Sequence, residues 1–198
     1  MKEETSAATT PAGDEISAAG RLRLLDLARR AIESAVRGHP APEMAPAAGG
    51  DDELHRPRGA FVTLTSKDGR LRGCVGVPQP VYRVDEAVAR AAVAAALHDR
   101  RFEPVGVAEL GEMGLHVSVL GALRSIAPEN VVVGVHGLVI RHAGRSGLLL
   151  PQVPVEQGWD RTRFLEETCR KAGLPPRAWQ DPACELLAFT ATVFSDRE

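Results

Sequence analysis

The sequence predicts an α+β fold in which antiparallel hairpins are flanked by helices. Two observations carry this. Alternating, β-rich stretches come in pairs around turn signals, at 60–75 and at 138–150. The helical patterns, at 17–37, 84–97 and 160–172, stand apart from those pairs instead of alternating with single strands as a parallel βαβ array would.

Taken in order, residues 1–16 are rich in Thr, Ala and Glu and read as a disordered tail, leaving 17–198 as one domain. Leu22, Leu25, Ala28, Ile32 and Ala35 keep helical spacing, and Gly38 and Pro40 stop that helix. Residues 39–58 hold several prolines and a glycine pair and read as a loop. The run Ala-Phe-Val-Thr-Leu-Thr at 60–65 alternates. Asp68-Gly69 reads as a type I′ turn, and 71–75 as the returning strand. An alanine-rich helix over 84–97 has side chains small enough for close packing on both sides, and a charged loop around Phe102 and Pro104 follows it. In the strand at 115–120, Leu115, Val117 and Val119 face one way and His116, Ser118 and Leu120 the other. A second hairpin turns across 143–146. Residues 151–158 read as an irregular loop, and Asp160 as the N-cap of a helix closed by Gly173 and Pro175. Residues 186–194 read as one final strand.

Composition excludes several classes of function. The chain has 198 residues and a formal net charge of −2, so no global basic field invites nucleic acid or an acidic membrane. Its lysines are Lys2, Lys67 and Lys171 alone. With two Trp, one Tyr and five Phe, it offers no stacking platform for bases. Cys74, Cys169 and Cys184 are odd in number and widely spaced, which argues against a disulfide framework. No paired-cysteine spacing supports a zinc site. Neither a signal-peptide pattern nor a run near 20 apolar residues is found, so the expected location is cytoplasmic. Neither a metal nor an organic cofactor is expected.

Three segments carry candidate chemistry. In Leu-Arg-Gly-Cys-Val-Gly at 71–76, Gly73 and Gly76 flank Cys74 beside Arg72. Glycine within a strand marks a bulge or a close approach to the backbone. A guanidinium near a thiol favours thiolate, and Arg72 shares a face with Cys74 only if the pleat is regular. The alternative is that Cys74 is a small buried apolar residue. His136, between Gly134 and Gly137, is a candidate acid–base group or a turn histidine bonded to backbone. Residues 150–160 hold Gln152, whose amide could meet a ligand, and Trp159, an anchor for the loop. Arg100 and Arg101 follow the alanine-rich helix, where cations complement the helix dipole or bind an anion.

In this order the segments resemble the AMMECR-type domain. The hexapeptide at 71–76 matches that family's signature. So do Gly-Ala-Phe-Val-Thr-Leu at 59–64, the Asp99, Arg101, Phe102 and Pro104 loop, the strand 117–120, the Gly134–His136–Gly137 turn, and 150–153 with 158–160. The likeness runs from about Leu22 to Phe194. Arg100 departs from the proline usual there, and neither the N-terminal tail nor 39–58 finds a counterpart. The resemblance implies two unequal lobes with the hexapeptide near the cleft between them. It also implies that the chain is the AMMECR-type component of a three-part set with a Memo-like protein and a radical SAM protein. It implies no established reaction.

Three classes of function are then weighed. An enzyme or covalent carrier would use Cys74 as nucleophile, Arg72 to favour its thiolate and His136 as base. In a binding or adaptor protein Gly73 and Gly76 would permit close packing, Cys74 would be structural and the cleft would dock a partner or small ligand; the candidate binding residues are Arg72, Gly73, Gly76, Arg101, Gln152 and Trp159. Nucleic-acid binding is disfavoured by the charge, and oligomeric state is not legible.

Overall fold

The computed structural model describes residues 16–44 and 53–197. The disordered tail expected over 1–16 lies outside the described residues except for Ile16. That side chain is only 1% exposed and belongs to a core, so the ordered chain starts earlier than its composition implies.

The chain divides into two compact units, Ile16–Leu120 with the C-terminal stretch from Thr192, and Gly121–Ala191. In the first, α1 (Ala18–Val36) is capped by Ser17, whose hydroxyl accepts the Gly20 amide at 3.0 Å. The sheet consists of β1 (Ala60–Thr65), β2 (Leu71–Val77), β3 (Gly114–Leu120) and β8 (Ala191–Ser195), in the order β2-β1-β3-β8, so β2 is an edge strand. The helix α2 (Val84–Leu97) packs on β1 and β2 and against α1. Its alanines make this possible: Ala87, Ala91, Ala92, Ala95 and Ala96 are all buried, and a larger side chain at any of them would push the layers apart. Val62, Leu64, Leu115, Val117 and Val119 complete this core.

The first hairpin differs from its expected turn. Gly69 is left-handed (φ 79°), but Asp68 is not, and the Gly69 amide donates to the Ser66 carbonyl at 2.9 Å. This is a wider turn closed by a left-handed glycine, where a type I′ pair would need both central residues left-handed. The type I′ geometry occurs instead in the second hairpin, where Ala143 (φ 48°) and Gly144 (φ 75°) join His142 to its partner Arg145.

In the second unit, β4 (Arg124–Ser125), β5 (Gly137–His142), β6 (Arg145–Leu149) and β7 (Glu185–Phe189) form a sheet in the order β4-β7-β5-β6. Phe164, Leu165 and Cys169 of α4 (Arg161–Lys171) share its core with Leu138, Ile140 and Ala188. Asp160 caps α4 through the Arg163 amide at 2.7 Å. At the other end the Leu174 amide returns to the Cys169 carbonyl past left-handed Gly173. Two readings are corrected here. Residues 152–156 form a short helix, α3 (Gln152–Glu156), because Pro154 sits in its first turn, where a missing N–H costs no helical hydrogen bond. The single strand expected over 186–194 is two strands, β7 and β8, divided at Thr190 and belonging to different sheets.

Candidate functional site

Cys74 lies on β2 opposite Thr63. The strand is irregular just before it: Leu64 pairs with Gly73 while Thr65 pairs with Leu71, leaving Arg72 as the extra residue of a bulge. The regular pleat that would put Arg72 and Cys74 on one face is therefore broken between them. Gly73 faces α2, where an added Cβ would collide with the Ala95 carbonyl oxygen, a backbone atom at the end of the helix. Gly76 lies under the Phe61 ring. The two glycines of the signature thus serve opposite faces of one strand.

The exposed edge of β2 is closed by side chains. The Cys74 amide donates to Asp99 Oδ2 at 2.9 Å, and Arg101 Nη2 donates to the Cys74 carbonyl at 3.2 Å. Arg101 Nε and Nη2 also reach Asp99, at 3.0 and 2.7 Å, and the Arg101 amide adds a further bond to Oδ1. Asp99 is 6% exposed and Arg101 56%, so a buried carboxylate is anchored by an arginine at the surface. The Arg101 guanidinium, with the Cys74 and Arg101 amides, holds the Asp99 carboxyl far below the usual carboxylate range. An edge strand normally offers unpaired N–H and C=O groups to other chains. Here the pair occupies them at the cysteine and fixes its backbone.

The thiol itself also interacts with the Arg101 guanidinium. Cys74 is half-buried, and the Thr63 hydroxyl donates to its Sγ at 3.2 Å. Arg72 does not supply the free charge expected of it. Its guanidinium binds Glu109 at 2.8 and 3.0 Å and the carbonyls of Glu103 and Pro104, so it pins the 103–109 segment to β2. Glu109 is correspondingly held below its ordinary range, chiefly by Arg72 and then by the Gly106 amide.

His136, Gln152 and Trp159 belong to the second unit, while Arg72, Gly73, Cys74, Gly76 and Arg101 belong to the first. His136 Nδ1 accepts the Val132 amide at 3.1 Å, and burial pushes the ring below its ordinary value. The neutral ring therefore carries its proton on Nε2 and presents a donor there. Gln152 opens α3 with its Oε1 buried and unpaired among the described residues. Trp159 packs against the core of its own unit. Among the described residues no three His, Cys, Asp or Glu side chains converge as a metal-holding group. No helix there is long and apolar enough to cross a membrane.

The sequence reading missed Thr63, Asp99 and Glu109 as members of this site. The Thr63–Cys74 pairing follows from the hairpin register, and Asp99 stood in the family-like loop with Arg101 without its role being legible; Glu109 arrives from a 3-10 turn whose path no spacing fixes.

A profile of the family described as AMMECR1 matches residues 25–194. The chain is a member of the AMMECR1 family. It is 42% identical over 184 residues to a protein of Methanopyrus kandleri, covering 88% of this chain and 87% of that one. It is 36% identical to a protein of Nanoarchaeum equitans, covering 88% of this chain and 99% of that one. The crystal structure of an uncharacterized protein from Pyrococcus horikoshii matches with a TM-score of 0.76 at 42% identity, covering 88% of this chain and 90% of that one. The α+β architecture is thus that of an AMMECR1-type protein.

Proposed function

We propose that Cys74 is the reactive centre of an AMMECR1-type component that works with Memo-like and radical SAM proteins. One observation carries the reading: Asp99 and Arg101 hold the Cys74 backbone from the strand edge, while its half-buried thiol meets the Thr63 hydroxyl and the Arg101 guanidinium. Fixing the main chain and leaving the sulfur reachable is what a nucleophile or covalent attachment point requires. The other two thiols differ. Burial pushes both Cys169 and Cys184 up, which favours their protonated forms.

The test is limited treatment of the folded protein with iodoacetamide, with each cysteine assigned by peptide mass. The expected product carries label at Cys74 and none at Cys169. Label at Cys184 or Cys169 before Cys74 would remove the reading. The partner assignment is tested separately, by sedimentation of the chain mixed with purified Memo-like and radical SAM proteins. Co-migrating species are expected, and three independent boundaries at micromolar concentration would reject it.

A second reading, a non-catalytic adaptor, is favoured by Leu71, which opens the signature hexapeptide 44% exposed. It would take over if the partners bind while Cys74 is unreactive and Cys74→Ser binds them unchanged.

A further inference from the structure

We infer that His116 is the proton acceptor for Cys74, acting through the hydroxyl of Thr63. The inference rests on the reading of Cys74 as a reactive centre and adds to it the route by which the thiol loses its proton.

The observation is one of register. Thr63 of β1 pairs with Cys74 of β2 on one side and with His116 of β3 on the other. The three residues therefore form one row across three adjacent strands. Directly opposed residues of antiparallel strands project to the same face with Cβ atoms about 5 Å apart. That face is the one turned away from α2, since Val62, Leu64 and Gly73 occupy the other. The Thr63 hydroxyl donates to Cys74 Sγ at 3.2 Å, the arrangement that follows the transfer; the transfer itself needs the hydroxyl turned towards His116, with the thiol donating to Oγ1. Thr63 and His116 are half-buried, as is Cys74, so the row is neither sealed in a core nor loose in solvent. A hydroxyl can give one hydrogen bond while accepting another, which makes a threonine between a thiol and an imidazole a competent bridge.

Of the charged groups near the thiol, the Arg101 guanidinium interacts both with it and with Asp99, so it steadies a thiolate but can accept no proton; the others are engaged elsewhere. Asp99 is ionised, bound to Arg101, and meets Cys74 through its backbone amide. Arg72 is bound to Glu109. Beyond β3, Asp196 is bound to Arg29 and to the Leu115 amide. In the other unit, His136 commits its lone pair at Nδ1 to the Val132 amide.

The transfer balances without any co-reactant. The thiol proton passes from Sγ to Thr63 Oγ1 as the hydroxyl's own proton passes to an imidazole nitrogen of His116. The result is a thiolate accepting from Thr63 and an imidazolium, with no net change in charge. With iodoacetamide, the sulfur lone pair forms the new S–C bond, iodide leaves with the electrons of the C–I bond, and the proton stays on His116 until solvent takes it.

The test is the rate of Cys74 alkylation in the folded full chain between pH 6 and pH 10, read by peptide mass. The variants are His116→Gln, Thr63→Val, Thr63→Ser and His136→Gln, each checked for folding by its melting transition. We expect His116→Gln and Thr63→Val to slow Cys74 at pH 7 by about tenfold, since an unassisted thiol is only a few per cent ionised there. The deficit should vanish towards pH 10, well above the ~8.5 at which free thiols ionise unaided. Thr63→Ser, which keeps the hydroxyl, should hold the unsubstituted rate, and so should His136→Gln. Equal rates for His116→Gln, Thr63→Val and the unsubstituted chain at every pH would overturn the inference, as would slowing by His136→Gln alone. If His116→Gln fails to fold, the contrast between valine and serine at position 63 decides. A Cys74 unlabelled in the unsubstituted folded chain would instead defeat the underlying reading; a labelled Cys74 indifferent to these variants defeats this inference only.

Discussion

The carboxylate of Asp99 accepts the amide N–H of Cys74 across 2.9 Å, closing the free edge of β2 with a side chain where another sheet would use a strand. Arg101 completes the arrangement by binding both Asp99 and the carbonyl of the same cysteine. Four bonds in this cluster converge on one carboxylate, so its removal should be felt more than that of the arginine.

Asp99→Ala is expected to destabilise the folded chain by about 2–3 kcal/mol, the loss of hydrogen bonds to a charged group together with two stranded donors. Arg101→Ala should cost less, about 1 kcal/mol, because that side chain is largely solvated. Urea midpoints for the two variants check the order; a larger loss from Arg101→Ala would contradict it.

The same carboxylate sets an acid limit. Its folded value is depressed below the ~3.9 of an unfolded aspartate. Between those values the unfolded chain binds the extra proton, so stability rises with pH there. The contribution is complete above the unfolded value and disappears as pH falls through the folded one. Stability should therefore decline from about pH 5 downwards, and Asp99→Asn should show a shallower decline. Urea midpoints against pH measure this, and parallel curves for the two proteins would refute it.

The two glycines beside Cys74 should differ in tolerance. Gly73→Ala places a methyl against the Ala95 carbonyl, which can move only with α2, and should cost about 2–3 kcal/mol. Gly76→Ala meets the Phe61 ring, a side chain able to rotate, and should cost about 1 kcal/mol. Thermal melts of the pair test the ranking.

Much of this arrangement was legible in the sequence. The alternation around Asp68-Gly69 marked the first hairpin, and the alanines of 84–97 the helix behind it. The bulge at Arg72 was not legible, because a one-residue shift in register leaves no mark on an alternating pattern that already contains two glycines. Nor was Thr63 as the bridge from Cys74 to His116: it required knowing that β3 pairs with β1, a contact 50 residues distant that local propensity does not encode. The short helix α3 was hidden by its prolines, and the division at Thr190 by a continuous run of strand formers.

His136 should titrate below an ordinary histidine, since burial disfavours its charged form and Nδ1 is occupied by the Val132 amide. Long-range proton–nitrogen correlation spectra should show the Nε2–H tautomer at neutral pH. With a folded value below the unfolded ~6.5, the stability this residue provides is present above that pH and falls as acid protonates the ring. A titration at or above the ordinary value would contradict the assignment.

The most direct measurement is the alkylation rate of Cys74 in the folded chain at pH 7, set against the rate at the same residue in urea. An accessible thiol assisted by its surroundings should react in the folded state at least as fast as in the unfolded chain, while Cys169 reacts only after unfolding. If Cys74 is protected in the folded state and reacts only when Cys169 does, it is a packing residue of β2, and the proposal that AMMECR1-type chemistry centres on this thiol is wrong.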